Sequence, residues 1–170
     1  RPKKTEVTSG VSVGSYLVGL IIILFFLFVS AEVSLGGWIA THVFRSNLAD
    51  EASAVDLTFA FWAALTIGRL LSNPMAMRIN VKYILGADLF FWRMGAGWIM
   101  VWPQTLAVIC LGTGIFGLGV ASMFPIGISI TEKYLTVSGR STSLLFVGGA
   151  LGGMFTPWLI GQLFGTYGPI

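Results

Sequence analysis

A chain of 170 residues that is 55% hydrophobic and only 10% charged falls far below the roughly 25% charge of soluble domains, so it is an integral membrane protein. Ten Lys and Arg against seven Asp and Glu leave a net charge of +3, and the distribution of that charge matters more than its size: no nucleic-acid partner follows from it. The single cysteine, Cys110, excludes an intrachain disulfide and a cysteine-based metal cluster; His42 is the one histidine, and without a Ser/His/Asp or metal-ligand set the chain does not read as an enzyme.

A helix that crosses the hydrocarbon core needs about 20 mainly apolar residues. Five segments qualify, in an all-α membrane architecture: 15–43, 52–71, 83–102, 105–130 and 141–164. Residues 1–14 form a tail or linker, and 15–170 the transmembrane bundle. The charge-free run from Val7 to Ala31 is too long for a signal-peptide core. The start at Arg1, without Met, and the end after "GTYGPI" read as the cut ends of a longer protein.

The first segment carries Glu32 in "VSAEVSLGGWI", about 25 Å in from Ser15 at 1.5 Å per residue, toward the outer half. An ionisable group inside a bilayer costs roughly 3 kcal/mol on insertion scales and is a functional candidate by default. Gly36 and Gly37 follow it, and paired glycines predict a kink or unwinding, tolerated at membrane depth only where the break lines a cavity or is buried in protein. A carboxylate beside such a break takes a proton or holds Na⁺, and the Trp38 ring suits the apolar face of a sugar. The alternative is a carboxylate that hydrogen-bonds to neighbouring helices for packing.

The second segment has Asp56 near its outer end, in a solvated position, and ends in Gly68-Arg69-Leu70. The third holds Asp88 and Arg93 in "ADLFFWRMGAG". Asp88 is nearer the cytoplasmic end and open to solvation. Arg93, near mid-span, lines a cavity or pairs structurally. The tryptophans of "WIMVWP" at 98–103 and Trp38 suit the membrane interface.

The fourth segment contains "GTGIFGLG", Gly112 to Gly119, which includes G-x-G-x-x-G. A dinucleotide fingerprint follows a strand and opens a helix. Here the glycines lie in a run of 38 residues without charge, between Arg93 and Glu132, so the stretch is a glycine-rich membrane helix. Small residues four apart let membrane helices approach closely. Such pairs are Gly68/Ser72, Thr113/Gly117, Gly148/Gly152 and Gly149/Gly153, while Pro125 and Pro157 add kinks.

Lys and Arg set the orientation. Arg1, Lys3, Lys4, Arg69, Arg78, Lys82, Lys133 and Arg140 fall on one side and Arg45 on the other, eight against one, with Arg93 inside a span. The N-terminus is therefore expected in the cytoplasm, and after five spans the C-terminus outside. The plasma membrane is expected rather than an organelle.

"FWAALTIGRLLSNPMAMRINVK" resembles the loop motif between the eighth and ninth helices of the major facilitator superfamily. The stretch from "GIFGLGVASMFPIG" to "GGALGGMFTPWLIGQLF" is similar to that superfamily's tenth and eleventh helices, and "SAEVSLGGWIATHV" resembles the seventh helix of its sodium-dependent glucose transporter and fucose permease branch. Gly153 departs from the branch, which often has an acid there. The resemblance implies five helices of a six-helix half-bundle, helices seven to eleven. Its partners would be the lipid bilayer, the N-terminal half and final helix of the same full-length chain, and a small-molecule solute. It further implies a secondary active transporter of a small polar solute, a sugar, by alternating access between two rocking halves. The coupling ion would be H⁺ or Na⁺, with no other cofactor. Glu32 and Trp38, with Arg93, would serve the substrate or coupling-ion site. Gly68, Arg69, Arg78 and Arg140 would form the cytoplasmic gating motif. Gly117, Pro125, Gly148 and Gly152 would serve helix packing. A non-transporting membrane scaffold or an ancillary subunit of a membrane complex is the competing reading.

Overall fold

The computed structural model describes residues 13–134 and 139–168, with side chains at 16, 18–72, 74–129 and 143–168. The tail bearing Arg1, Lys3 and Lys4 lies outside the described residues, as do the side chains of Lys133 and Arg140. The described residues form six helices: α1 (Val13–Arg45), α2 (Glu51–Arg78), α3 (Val81–Val101), α4 (Leu106–Val120), α5 (Met123–Tyr134) and α6 (Gly139–Tyr167). Five stretches are long and apolar enough to cross a membrane, with α4 and the start of α5 forming one of them. Large apolar side chains such as Phe59, Leu70, Met100 and Met154 stand exposed on the outside of the bundle, as a lipid-facing surface requires.

Local chemistry sets each reversal. α1 ends in a Schellman motif: Leu48 N–H donates to the Val43 carbonyl and Asn47 N–H to the Phe44 carbonyl, both at 3.1 Å. Asn47 takes the left-handed conformation at φ 55°, which Asn tolerates better than most residues. Leu48 then packs on the cluster of Ile39, Val43, Leu57 and Ile109, fixing α2 antiparallel to α1. Between α2 and α3 only Ile79 and Asn80 intervene; the Asn80 side chain accepts from Lys82 N–H at 3.1 Å and caps α3. Pro103 disfavours a helical Trp102 and ends α3.

The expected kink at Pro125 is a break. α4 stops at Val120 and α5 starts at Met123. Pro125 has no N–H to give the carbonyl of Ala121, four residues back, and sits in the first turn of α5, where a proline is tolerated. The expected break at Gly36–Gly37 is absent, because α1 runs helical through both residues. In lipid no water competes for the backbone bonds, so a glycine pair does not by itself unwind a span. Gly36 instead makes room for α2: a Cβ there would stand 2.7 Å from the Phe61 ring. Gly37 has nothing within 4 Å.

Lipid is as apolar as a leucine, so close packing rather than hydrophobic burial draws membrane helices together. The glycines supply that closeness. Gly148 and Gly152 of α6 lie on the α1 backbone at Ile22 and Phe26. Gly95 of α3 abuts Gly112 and Phe116 of α4, and Gly119 abuts the backbone around Asp88 and Trp92. Gly117 rests on the Phe61 carbonyl of α2. The glycines of "GTGIFGLG" thus serve helix contact on two sides of α4, and among the described residues no strand precedes them. Phe61, Leu65, Phe116 and Val120 fill the space between α2 and α4.

Candidate functional site

α1 makes polar contacts toward two of its neighbours. Toward α2, Glu32 accepts from Arg69 Nη2 at 2.7 Å. The Glu32 side chain is 12% exposed and that of Arg69 is 42% exposed, so the pair is closed on the carboxylate side and open on the guanidinium side. Arg69 lies inside α2, nine residues before its last residue Arg78, and not in the link to α3. It is the partner of Glu32 rather than a residue of the link, so the basic count that orients the chain becomes seven against one. Gly68, beside it, packs against Ala121 at the α4–α5 break, where a Cβ would meet the Ala121 methyl at 2.5 Å. Arg78 is exposed in the last turn of α2. Arg140 lies in the first turn of α6, its side chain outside the described residues.

Toward α6, Ser30 accepts from Thr156 Oγ1 at 2.9 Å. Trp38 Nε1 donates to the Pro157 carbonyl at 3.0 Å, and its ring stacks on Phe164 at a centroid distance of 5.4 Å. Trp38 also borders a cavity of about 420 Å³ between α1, α3, α4 and α6, lined by Ser34, His42, Trp92, Phe116, Ile160 and Phe164 among others. Two of its wall residues carry a buried polar atom, Ser34 Oγ and His42 Nε2, without a hydrogen-bond partner among the described residues. Ser34, Trp38 and His42 recur every four residues, one stripe of a helix. That spacing was present in the sequence and identifies Ser34 and His42 as wall residues beside Trp38.

The expected grouping of Glu32, Trp38 and Arg93 does not form among the described residues. Glu32 faces α2 and Trp38 faces α6. Arg93 stands exposed on α3, without an ion pair among the described residues. Asp88, expected to be open to solvent, is buried at 7% exposure. It accepts a hydrogen bond from Ser122 Oγ, at the α4–α5 break. It borders a second cavity of about 370 Å³ with Gly68, Ser72, Tyr83 and Leu118. Asp56 is exposed, as expected.

No family profile matches the chain, and no solved structure does. Curated proteins do. The chain is similar to sodium-dependent glucose transporter 1 of Danio rerio, 32% identical over 81% of this chain and 23% of the relative. It is similar to sodium-dependent glucose transporter 1A of Mus musculus, 27% identical over 89% of the chain and 36% of the relative. The major facilitator superfamily domain-containing protein 4A of Xenopus tropicalis is 29% identical over 72% of the chain and 24% of that protein. The chain spans roughly a quarter to a third of the length of these relatives. Five apolar helices of spanning length and these homologues together place it: this multi-pass membrane chain belongs to the major facilitator superfamily.

Proposed function

We propose that the chain forms one wall of a secondary active transporter that moves a small polar solute, a sugar, by alternating access driven by Na⁺ or H⁺. The cavity beside Trp38 carries this reading. It is a mostly apolar pocket with a few convergent polar groups, which is how small-molecule sites are built. The Trp38 ring edge offers apolar contact to a sugar, while Ser34 and His42, whose Oγ and Nε2 are without a partner among the described residues, are the wall residues that could turn a hydrogen bond to its hydroxyls. The names of the relatives in zebrafish and mouse point to glucose and Na⁺ as the first solute and ion to test.

The Glu32–Arg69 pair supplies a hinge point for alternating access. It ties α1 to α2 at membrane depth, where each lone charge costs roughly 3 kcal/mol. Opening the pair is therefore worthwhile only when a solute or ion takes over one of the charges. The five spans correspond to helices seven to eleven of the superfamily. The remaining helices of the full-length protein close the opposite wall, and Arg78 and Arg140 latch the cytoplasmic side. The N-terminus then lies in the cytoplasm, and the protein in the plasma membrane.

The test is counterflow of labelled glucose in liposomes that hold the native full-length protein. Trp38→Ala is expected to raise the half-saturating glucose concentration at least tenfold, and Ser34→Ala to raise it severalfold. Counterflow with the same half-saturation in both variants would remove the cavity from the solute path. Absence of counterflow in the parent protein, against a series of sugars, would favour the scaffold reading.

A further inference from the structure

Among the described residues, Asp88 is a carboxylate without a countercharge. It lies seven residues into α3, about 10 Å from the first residue of that helix, and is 7% exposed. Glu32–Arg69 is the ion pair found among the described residues, and no basic group among them lies within 4 Å of the Asp88 carboxylate. One of its oxygens accepts from Ser122; the other has no hydrogen-bond partner among the described residues, and the residue borders the 370 Å³ cavity. A lone ionised carboxylate in apolar surroundings is not tolerated: it takes up a proton or holds a cation.

The surroundings supply oxygen. The Ser72 hydroxyl on α2, buried at 7% exposure, donates to the Arg69 carbonyl and keeps its lone pairs. Ser122 stands where α4 gives way to α5, and Pro125 leaves the Ala121 carbonyl without its helical donor. Interrupted membrane helices offer such groups to Na⁺ or H⁺. Tyr83 is the other titratable group bordering the cavity. From α2 the cavity meets Gly68, Leu71, Ser72 and Met75, and from α4 Leu118, none of them titratable. The Arg69 guanidinium is turned to Glu32. Of α5, Glu132 and Lys133 lie outside the described side chains. A single carboxylate matches one positive charge.

We propose that Asp88, Ser122 and Ser72 form a site for one small monovalent cation, H⁺ or Na⁺, between α2, α3 and the α4–α5 break. Its role as the coupling ion rests on the transport reading, whereas binding itself does not.

Infrared difference spectroscopy tests the binding on the native full-length protein in lipid, without solute. Na⁺ is titrated at constant pH against choline, and pH is titrated separately in choline alone. A protonated-carboxyl C=O band is expected to fall in one or both titrations and to be missing from Asp88→Asn. A fall with both identifies a site shared by Na⁺ and H⁺, and a fall with pH alone identifies H⁺. Ser122→Ala, a milder change, is expected to move the midpoint at least tenfold for Na⁺ or one unit for pH. A band that survives in Asp88→Asn, no response to either cation, or an unmoved midpoint in Ser122→Ala overturns the site. Failed sugar transport alongside an intact Asp88 response removes the coupling role and leaves the site.

Discussion

Arg69 and Glu32, 37 residues apart in sequence, meet across the α1–α2 interface with Nη2 to Oε1 at 2.7 Å. Breaking a buried pair by removing one partner costs about 3–5 kcal/mol, because the other charge stays behind uncompensated. Here the two partners are not equivalent. Glu32 is the enclosed one and Arg69 the half-exposed one. Arg69→Met is therefore expected to lower the thermal midpoint more than Glu32→Gln. The double variant should lose less than the two singles together. Equal, additive losses in a melting series in detergent would show that the two side chains do not couple.

The five spans, the helix type and the packing role of most glycines were legible in the sequence, because each depends on local composition and spacing. The partners of the intramembrane charges were not. Arg69 looked like an end-of-span cation because the apolar segment stops at Leu71, before Pro74, whereas the helix continues to Arg78. Asp88 looked solvated because its partner, Ser122, lies 34 residues away in a break that only the fold brings to it. Gly36 and Gly37 looked alike in sequence, yet only Gly36 lies under an aromatic ring.

That difference gives a second prediction. Gly37→Ala meets nothing within 4 Å and removes a helix-weakening glycine, so it should stabilise by about 0.5–1 kcal/mol. Gly36→Ala places a Cβ 2.7 Å from the Phe61 ring and should destabilise by about 1–3 kcal/mol through overpacking. If α1 unwound at this pair, both alanines would act in the same direction on the melting temperature.

The seam between α3 and α4 is tighter still. A Cβ on Gly95 would come within 2.7 Å of the Phe116 backbone nitrogen and 2.5 Å of the Gly112 carbonyl, atoms that cannot swing away. Gly95→Ala is expected to cost more than Gly36→Ala, whose neighbour is a side chain. A pair of melting curves decides it. A Gly95→Ala protein as stable as its parent would mean that α3 and α4 are not in this contact.

Topology follows from the basic residues. With Cys110 replaced by Ala, single cysteines at Ser46 and Gln104 should react with an impermeant thiol reagent added outside cells. One at Asn80 should react only after permeabilisation. The chain reverses at each of these points, so labelling of Asn80 together with Ser46 would contradict the α2 crossing. The mirror pattern would reverse the orientation alone.

Gradient-driven uptake bears most directly on the transport account. Proteoliposomes holding the native full-length protein are given an inward Na⁺ gradient or an inward pH gradient, and labelled glucose is followed to its plateau. The account predicts accumulation above the external concentration in the parent protein. Glu32→Gln frees α1 from Arg69 whether or not an ion is bound, so exchange of glucose should continue while accumulation is lost. A plateau at the external concentration with either gradient, or undiminished accumulation in Glu32→Gln, would contradict it.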